Sequence, residues 1–466
     1  MNKPAITAWL VASLCASLVT ATAIAAETQQ PQTEAGFSSA YQAAARHDPE
    51  LRTAYLNFKA EQQEAPLAFG RLLPSISLNA GYSYEDSENY FTENPSFTPD
   101  PRSDGKIHEN HWGINLDQPL FNLGIWRNYQ AAQHGVTAAT YRYTEAEREL
   151  MLRVTSTYLQ LLFAARQEYL YQQQLHTIQL QIDQAQRQQD LGIGDRITQL
   201  EILAQQDLVR ADLLEARSRY SDARTLLENM TGKAFEAPSA WRQAEHQPLP
   251  DTNIGTEEKW TKLTLSNLSY QQAQSRVNQA ARTVDARRAE HYPTVNLNLS
   301  YINRDSDDIY RTREGYRLGI DLNLPIYHGG RTQAALRQAD ARMQAEHARS
   351  DQALAEALQQ VRLNYSRLTS LSQRLEALHQ SETSTRSFLA AAQRGQQLNL
   401  RSRIDVLDAQ NRLLDVQLRY AEALKNYLEA DLQLHHAVGH LTTERLKYFD
   451  ALFNQAAETR TKHPHE

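Results

Sequence analysis

The chain has 466 residues, a formal charge of −7, a mean hydropathy of −0.62 and 41% hydrophobic residues, enough length for about three ordinary domains. Its mild acidity without a basic block argues against a nucleic-acid partner. No run beyond the N-terminal region reaches the ~18 consecutive apolar residues of a membrane helix, so if the chain spans a membrane it does so with strands.

Residues 1–25 read as a secretory signal peptide. Lys3 supplies the positive start, an apolar stretch runs from Ala5 to Ala21, and Ala23-Ile24-Ala25 is a small-x-small cleavage site. The single cysteine, Cys15, lies inside this leader behind Leu14 rather than a small residue. The mature chain is therefore expected to be free of cysteine, disulfides and lipid.

A helical segment follows, and then the period changes. Ile76, Leu78, Ala80, Tyr82 and Tyr84 alternate with Ser75, Ser77, Asn79, Gly81 and Ser83. Trp112, Ile114, Leu116 and Leu120 alternate with Gly113, Asn115 and Asp117, Gln118 being the one lapse. Such alternation gives one apolar and one polar face, and together these runs form a hairpin over 75–121. Long helices are expected over 126–190 and 196–231, with a turn marked by Gly192 and Gly194. Residues 233–262, with Pro238, Pro248 and Pro250, read as an equatorial linker.

The same order then returns. A helix leads to a second hairpin over 294–327, where Val295, Leu297, Leu299 and Tyr301, then Tyr316, Leu318, Ile320, Leu322, Leu324 and Ile326, form the apolar face. Long helices over 331–395 and 401–438 come next, and Leu354, Val361, Leu368 and Leu375 recur at heptad spacing. Residues 441–466 read as a polar tail whose His463 and His465 are solvated. Several echoes mark a tandem duplication of 26–232 and 263–440. Leu73-Pro74-Ser75-Ile76 answers Tyr292-Pro293-Thr294-Val295, and Gly113-Ile114-Asn115-Leu116-Asp117 answers Gly319-Ile320-Asp321-Leu322-Asn323. Helices of some 64 residues extend about 95 Å and must pack side by side. Apolar-out, polar-in segments of about ten residues are the mark of a membrane β-barrel, yet four strands are too few to close one. Several copies of the chain would have to build it together.

No catalytic constellation, phosphate-binding loop or metal motif appears, and no cofactor is expected. Asp405 and Asp408 stand out because residues three apart share a helix face. The bland account is that acidic residues near a helix start favour its dipole.

Long helices, paired hairpins and tandem duplication resemble the TolC-type outer-membrane export duct family. Ala40-Tyr41-Gln42-Ala43 with Asp48-Pro49-Glu50-Leu51 is similar to its opening motif, and Leu72-Leu73-Pro74 to its helix-to-strand transition. Leu324-Pro325-Ile326-Tyr327-His328-Gly329-Gly330 is similar to its strand-to-helix transition, and Ile404-Asp405-Val406-Leu407-Asp408-Ala409 to its tip. The resemblance covers essentially the whole mature chain. It implies a mainly α protein with a membrane β-barrel, in which three chains of four strands close a twelve-stranded barrel above a coiled-coil-like helical tunnel. It further implies a passive outer-membrane channel reaching into the periplasm, working with a periplasmic adaptor and an inner-membrane ABC or RND-type pump, for type I secretion or multidrug efflux. Asp405, Asp408 and Glu201 would form an acidic ring at the periplasmic entrance, crowded enough to raise some of their pKa values. Arg401, Thr198 and Gln396 would hold the links that gate it. Gln396 and Thr198 depart from the tyrosine of the best-known member and the aspartate of many members, so those links differ here. Leu191, Gly192, Ile193, Leu398, Asn399 and Leu400 would be adaptor-docking tips, the second without the usual glycine. The competing readings are a periplasmic coiled-coil scaffold without a pore, which would not need four alternating strands, and a secreted enzyme, which would need a catalytic motif.

Overall fold

The computed structural model describes residues 36–88, 104–191, 196–244, 249–251, 253–308, 311–398 and 400–458. The expected leader, the glycines at 192 and 194, Ile193 and Asn399 lie outside the described residues. In chain order come α1 (Phe37–His47), α2 (Pro49–Gln62), α3 (Glu64–Gly70), β1 (Ser75–Glu88), β2 (Asp104–Phe121), α4 (Leu123–Asp190), α5 (Arg196–Thr231) and α6 (Ser239–Arg242). Then follow α7 (Glu257–Leu263), a 3-10 turn (Thr264–Ser266), α8 (Leu268–Ala289), β3 (Thr294–Ser306), β4 (Arg313–Asn323), α9 (Arg331–Gln397), α10 (Arg403–Ala437) and α11 (Thr443–Glu458).

The four strands form one antiparallel sheet in the order β1-β2-β3-β4. Its register carries the apolar alternation straight across all four strands. Ile76 pairs with Leu116, Leu116 with Leu299, and Leu299 with Leu318. The next row joins Leu78, Ile114, Tyr301 and Tyr316. Within this chain the face is uncovered: Tyr316 is 83% exposed and Leu318 66%. Gln118, the lapse in the pattern, donates from Nε2 to the Leu72 carbonyl at 2.9 Å and the Pro119 carbonyl at 2.8 Å. It satisfies backbone acceptors where α3 turns into the sheet, next to a bulge at Pro119–Phe121. β1 and β2 run past the expected ends. β4 stops at Asn323, short of Ile326, because Pro325 has no N–H for the ladder.

The helices repeat a second pattern. α4 has 68 residues and α9 has 67, about 100 Å each at 1.5 Å per residue. Each is paired along its sheet-proximal part with shorter helices (α1–α3 and α8) and along its distal part with one return helix, α5 or α10. α8 and α10 also pack on α4, joining the two halves. The heptad residues Val361, Leu368 and Leu375 are buried in this seam. α5 and α10 end alike: Gly232 (φ 67°) and Gly439 (φ 74°) both take the left-handed conformation that favours glycine after a helix. At Gly439 a Cβ would come within 2.5 Å of the Ser266 carbonyl.

The reading of 441–466 as a polar tail is corrected over 443–458, while residues 459–466, with His463 and His465, lie outside the described residues. Residues 443–458 form α11, which buries Leu446, Phe449, Leu452 and Phe453. Their spacing of three or four places them on one face, which docks against α1 and α6. Asp450 on this helix caps α1, accepting from Phe37 N–H at 2.7 Å and from Ser38 N–H at 3.2 Å. Nearby, Arg445 forks onto buried Asp431, Nε to Oδ2 at 2.7 Å. The linker contributes too. Trp241 of α6 is 2% exposed, donates from Nε1 to the Leu162 carbonyl at 2.9 Å, and packs edge-on against Phe163 and Phe453. Trp241→Ala should therefore cost about 3–5 kcal/mol, the range for emptying a large aromatic site. A fall in the denaturation midpoint of the detergent-solubilised protein measures it, and an unchanged midpoint would show that the Trp241 contacts do not hold the helices together.

Candidate functional site

The distal ends of the two long-helix pairs carry the expected entrance residues. Leu191 follows α4, Leu398 follows α9 and Leu400 precedes α10; all are about three-quarters exposed. Leu191 N–H bonds to the Arg187 carbonyl at 3.2 Å, and Leu398 N–H to the Arg394 carbonyl at 3.2 Å. Leu400 N–H reaches back to the Gly395 carbonyl at 2.8 Å, so this turn closes through a wide backbone bond. Gly395 makes room for the neighbouring side chain, since a Cβ there would lie 2.9 Å from Arg401 Cγ. Arg401 is exposed and folds over its own turn. Gln396 is half-buried in the last turn of α9, and Thr198 is half-buried in the first turn of α5.

Asp405 is the third residue of α10 and closes a reciprocal cap. Its N–H donates to Ser402 Oγ at 3.1 Å, and its Oδ2 accepts from Ser402 N–H at 2.8 Å. The Ser402 donors, backbone first, then the charge of Arg401, hold its carboxyl below the ordinary range. Within one chain this direction opposes the upward shift that crowding in a ring would cause. Asp408, one turn further on, is exposed, as is Glu201 on α5. Their sequence neighbours Leu407 and Ile202 share a buried cluster with Ile178, Ala185 and Val209, while Val406 and Ala409 pack with Ala392. The first turns of α10 thus bury a side against each neighbouring pair and leave the carboxylate of Asp408 in water.

A ladder of amides escaped the sequence reading. Gln174 donates to Asn411 Oδ1 at 2.9 Å, Gln181 to Gln410 Oε1 at 2.7 Å, and Gln206 to Gln179 Oε1 at 2.8 Å. These bonds stitch α10 and α5 to α4 between the buried clusters. The Ser402–Asp405 box was legible as Ser-x-x-Asp ahead of an apolar run. The ladder was not, because glutamine-rich stretches look like solvated faces until their partners are known.

An uncovered apolar sheet face joined to paired helices of about 100 Å defines a protein that enters a membrane through strands and carries a long helical extension outside it. No described helix is long and apolar enough to cross a membrane. A family model described as outer membrane efflux protein matches residues 40–233 and 261–440, and the chain belongs to that family. It is 28% identical over 424 residues to the alkaline protease secretion protein AprF of Pseudomonas aeruginosa, covering 90% of this chain and 87% of that one. It is 24% identical over 428 residues to the proteases secretion protein PrtF of Dickeya chrysanthemi, covering 90% and 92%. The solved outer-membrane channel CmeC of Campylobacter jejuni superposes with a TM-score of 0.72 at 15% identity, over 92% of this chain and 94% of that one. The protein is an outer-membrane export channel that extends into the periplasm. Members of the family are transport channels rather than enzymes.

Proposed function

We propose that three copies of this chain close one twelve-stranded barrel and serve as the outer-membrane exit of a type I protein-secretion system, with a periplasmic adaptor and an inner-membrane ABC-type pump as partners. The observation that carries the trimer is the sheet: its outer strands β1 and β4 each have one bonded neighbour, and open edges in lipid leave backbone groups without partners. Protein cargo is favoured over small molecules because AprF and PrtF are both named for protease secretion. In this reading Asp405, Asp408 and Glu201 ring the entrance, while Arg401, Thr198 and Gln396 hold it closed. Leu191, Gly192, Ile193, Leu398, Asn399 and Leu400 meet the adaptor, and their described leucines expose the apolar surface such docking uses. Type I secretion predicts that a deletion strain loses one or more exported proteins from the medium, with little change in drug sensitivity. Drug hypersensitivity with an intact set of exported proteins would favour the efflux branch instead. The purified protein in detergent should have three times the mass of the mature chain, and a monomer that still conducts in planar bilayers would end the trimer reading.

A further inference from the structure

The polar face of the sheet gathers several basic residues away from its helix-bearing end. One row runs Gly81, His111, Arg304, Arg313, a single residue from each strand. Gly81 gives the His111 ring its place, since a Cβ there would lie 2.7 Å from His111 Cε1. Arg304 and Arg313 stand directly opposite each other on one face, a pairing of like charges that destabilises a sheet. Arg304 is balanced by Glu109, Nε to Oε1 at 3.3 Å. Arg313, and Arg317 two rows below, are exposed and have no ion-pair partner among the described residues. Of the acidic residues of this face, Glu109 is held by Arg304 and Glu85 by Arg311, while Asp117 and Asp321 lie towards the helix-bearing end. Arg317 and Asp321 are four positions apart on one strand, about 14 Å, beyond the ~8 Å screening length of physiological salt.

We propose that Arg313 and Arg317, with Arg304 and His111 beside them, form a basic collar in the lumen near the outer mouth, where it engages carboxylates of an acidic polypeptide during export. The placement rests on the trimeric barrel proposed above, in which the polar face turns inward and three chains bring together six arginines that have no ion-pair partner among the described residues of their own chain. A repulsive arginine pair costs stability, and a water-filled lumen walled by low dielectric is where such a charge most strongly attracts a passing anion.

The probe is a short poly-L-glutamate added to the outer side of the trimer in planar bilayers. Wild-type current should be blocked, and Arg313→Gln with Arg317→Gln should weaken that block by about tenfold or more. Arg313→Lys with Arg317→Lys should keep it. Both positions are exposed and unpaired, and if the double Gln variant fails to insert, Arg313→Gln alone gives the reading, with a smaller loss of block expected. Equal block of wild type and Gln variants overturns the collar, as does the absence of block in the wild type. Absence of any conducting trimer would instead overturn the barrel reading beneath it.

Discussion

Multivalent cations added to the periplasmic side of the reconstituted channel should block its conductance, and replacing Asp405 and Asp408 together with Ala should raise the blocking concentration about tenfold or more. Threefold symmetry would place six carboxylates around one axis, where their fields add in a narrow space. The cap at Asp405 demands a control: Ala removes both charge and hydrogen bonds, whereas Asp405→Asn with Asp408→Asn keeps an acceptor for Ser402 N–H and removes charge alone. Both pairs should lose block equally if charge is the cause. Because the folded-state pKa of Asp405 lies below its ordinary 3.8, its stabilising ionised form is fully present above about pH 4 and is lost as pH falls through the lowered value. Cap-dependent stability should accordingly be flat from neutral pH down to about 4 and drop below it. Arg401→Ala should raise resting conductance by loosening the turn it covers. Cation block of the double Asn variant at wild-type concentrations would reduce the two aspartates to helix-start residues.

Leu299→Arg should all but abolish assembled protein in the outer membrane, while Ser300→Arg on the next residue, which meets only the like charge of Arg317 across the ladder, should lose far less. Leu299 lies in the unbroken apolar row with Ile76, Leu116 and Leu318, and Ser300 lies in the opposite row with Asn115 and Arg317. A charge facing the middle of a bilayer costs about 2–4 kcal/mol per chain, whereas lumen substitutions are tolerated. Quantifying trimer in outer-membrane fractions decides it, and equal loss from the two variants would overturn the assignment of faces.

What could be read in advance was what depends on local period. The strands announced themselves because each face meets a uniform medium along its length, so alternation survives intact. Val361, Leu368 and Leu375 were legible for the same reason, since a helix seam repeats its contacts every seven residues. α11 was misread because its four core residues are diluted by Thr443, Glu444, Arg445 and Lys447. Their burial depends on α1 and α6, which lie hundreds of residues away in sequence. The entrance was half legible: Asp405 and Asp408 were singled out as charges, yet Asp405 is also spent on its own helix start. The arginine row could not be seen, because the pairing of Arg304 with Arg313 depends on hairpin register.

The amide ladder between α4 and α10 has one last consequence. Its members carry no net charge, so neither brine nor fresh water alters the strength of Gln174 on Asn411 or Gln181 on Gln410. Each amide is donor and acceptor at once, so a partner displaced along the helix meets another group it can bond. A bacterium carrying this channel through changing salinity would find that joint equally firm, while its exposed ion pairs slackened and tightened around it.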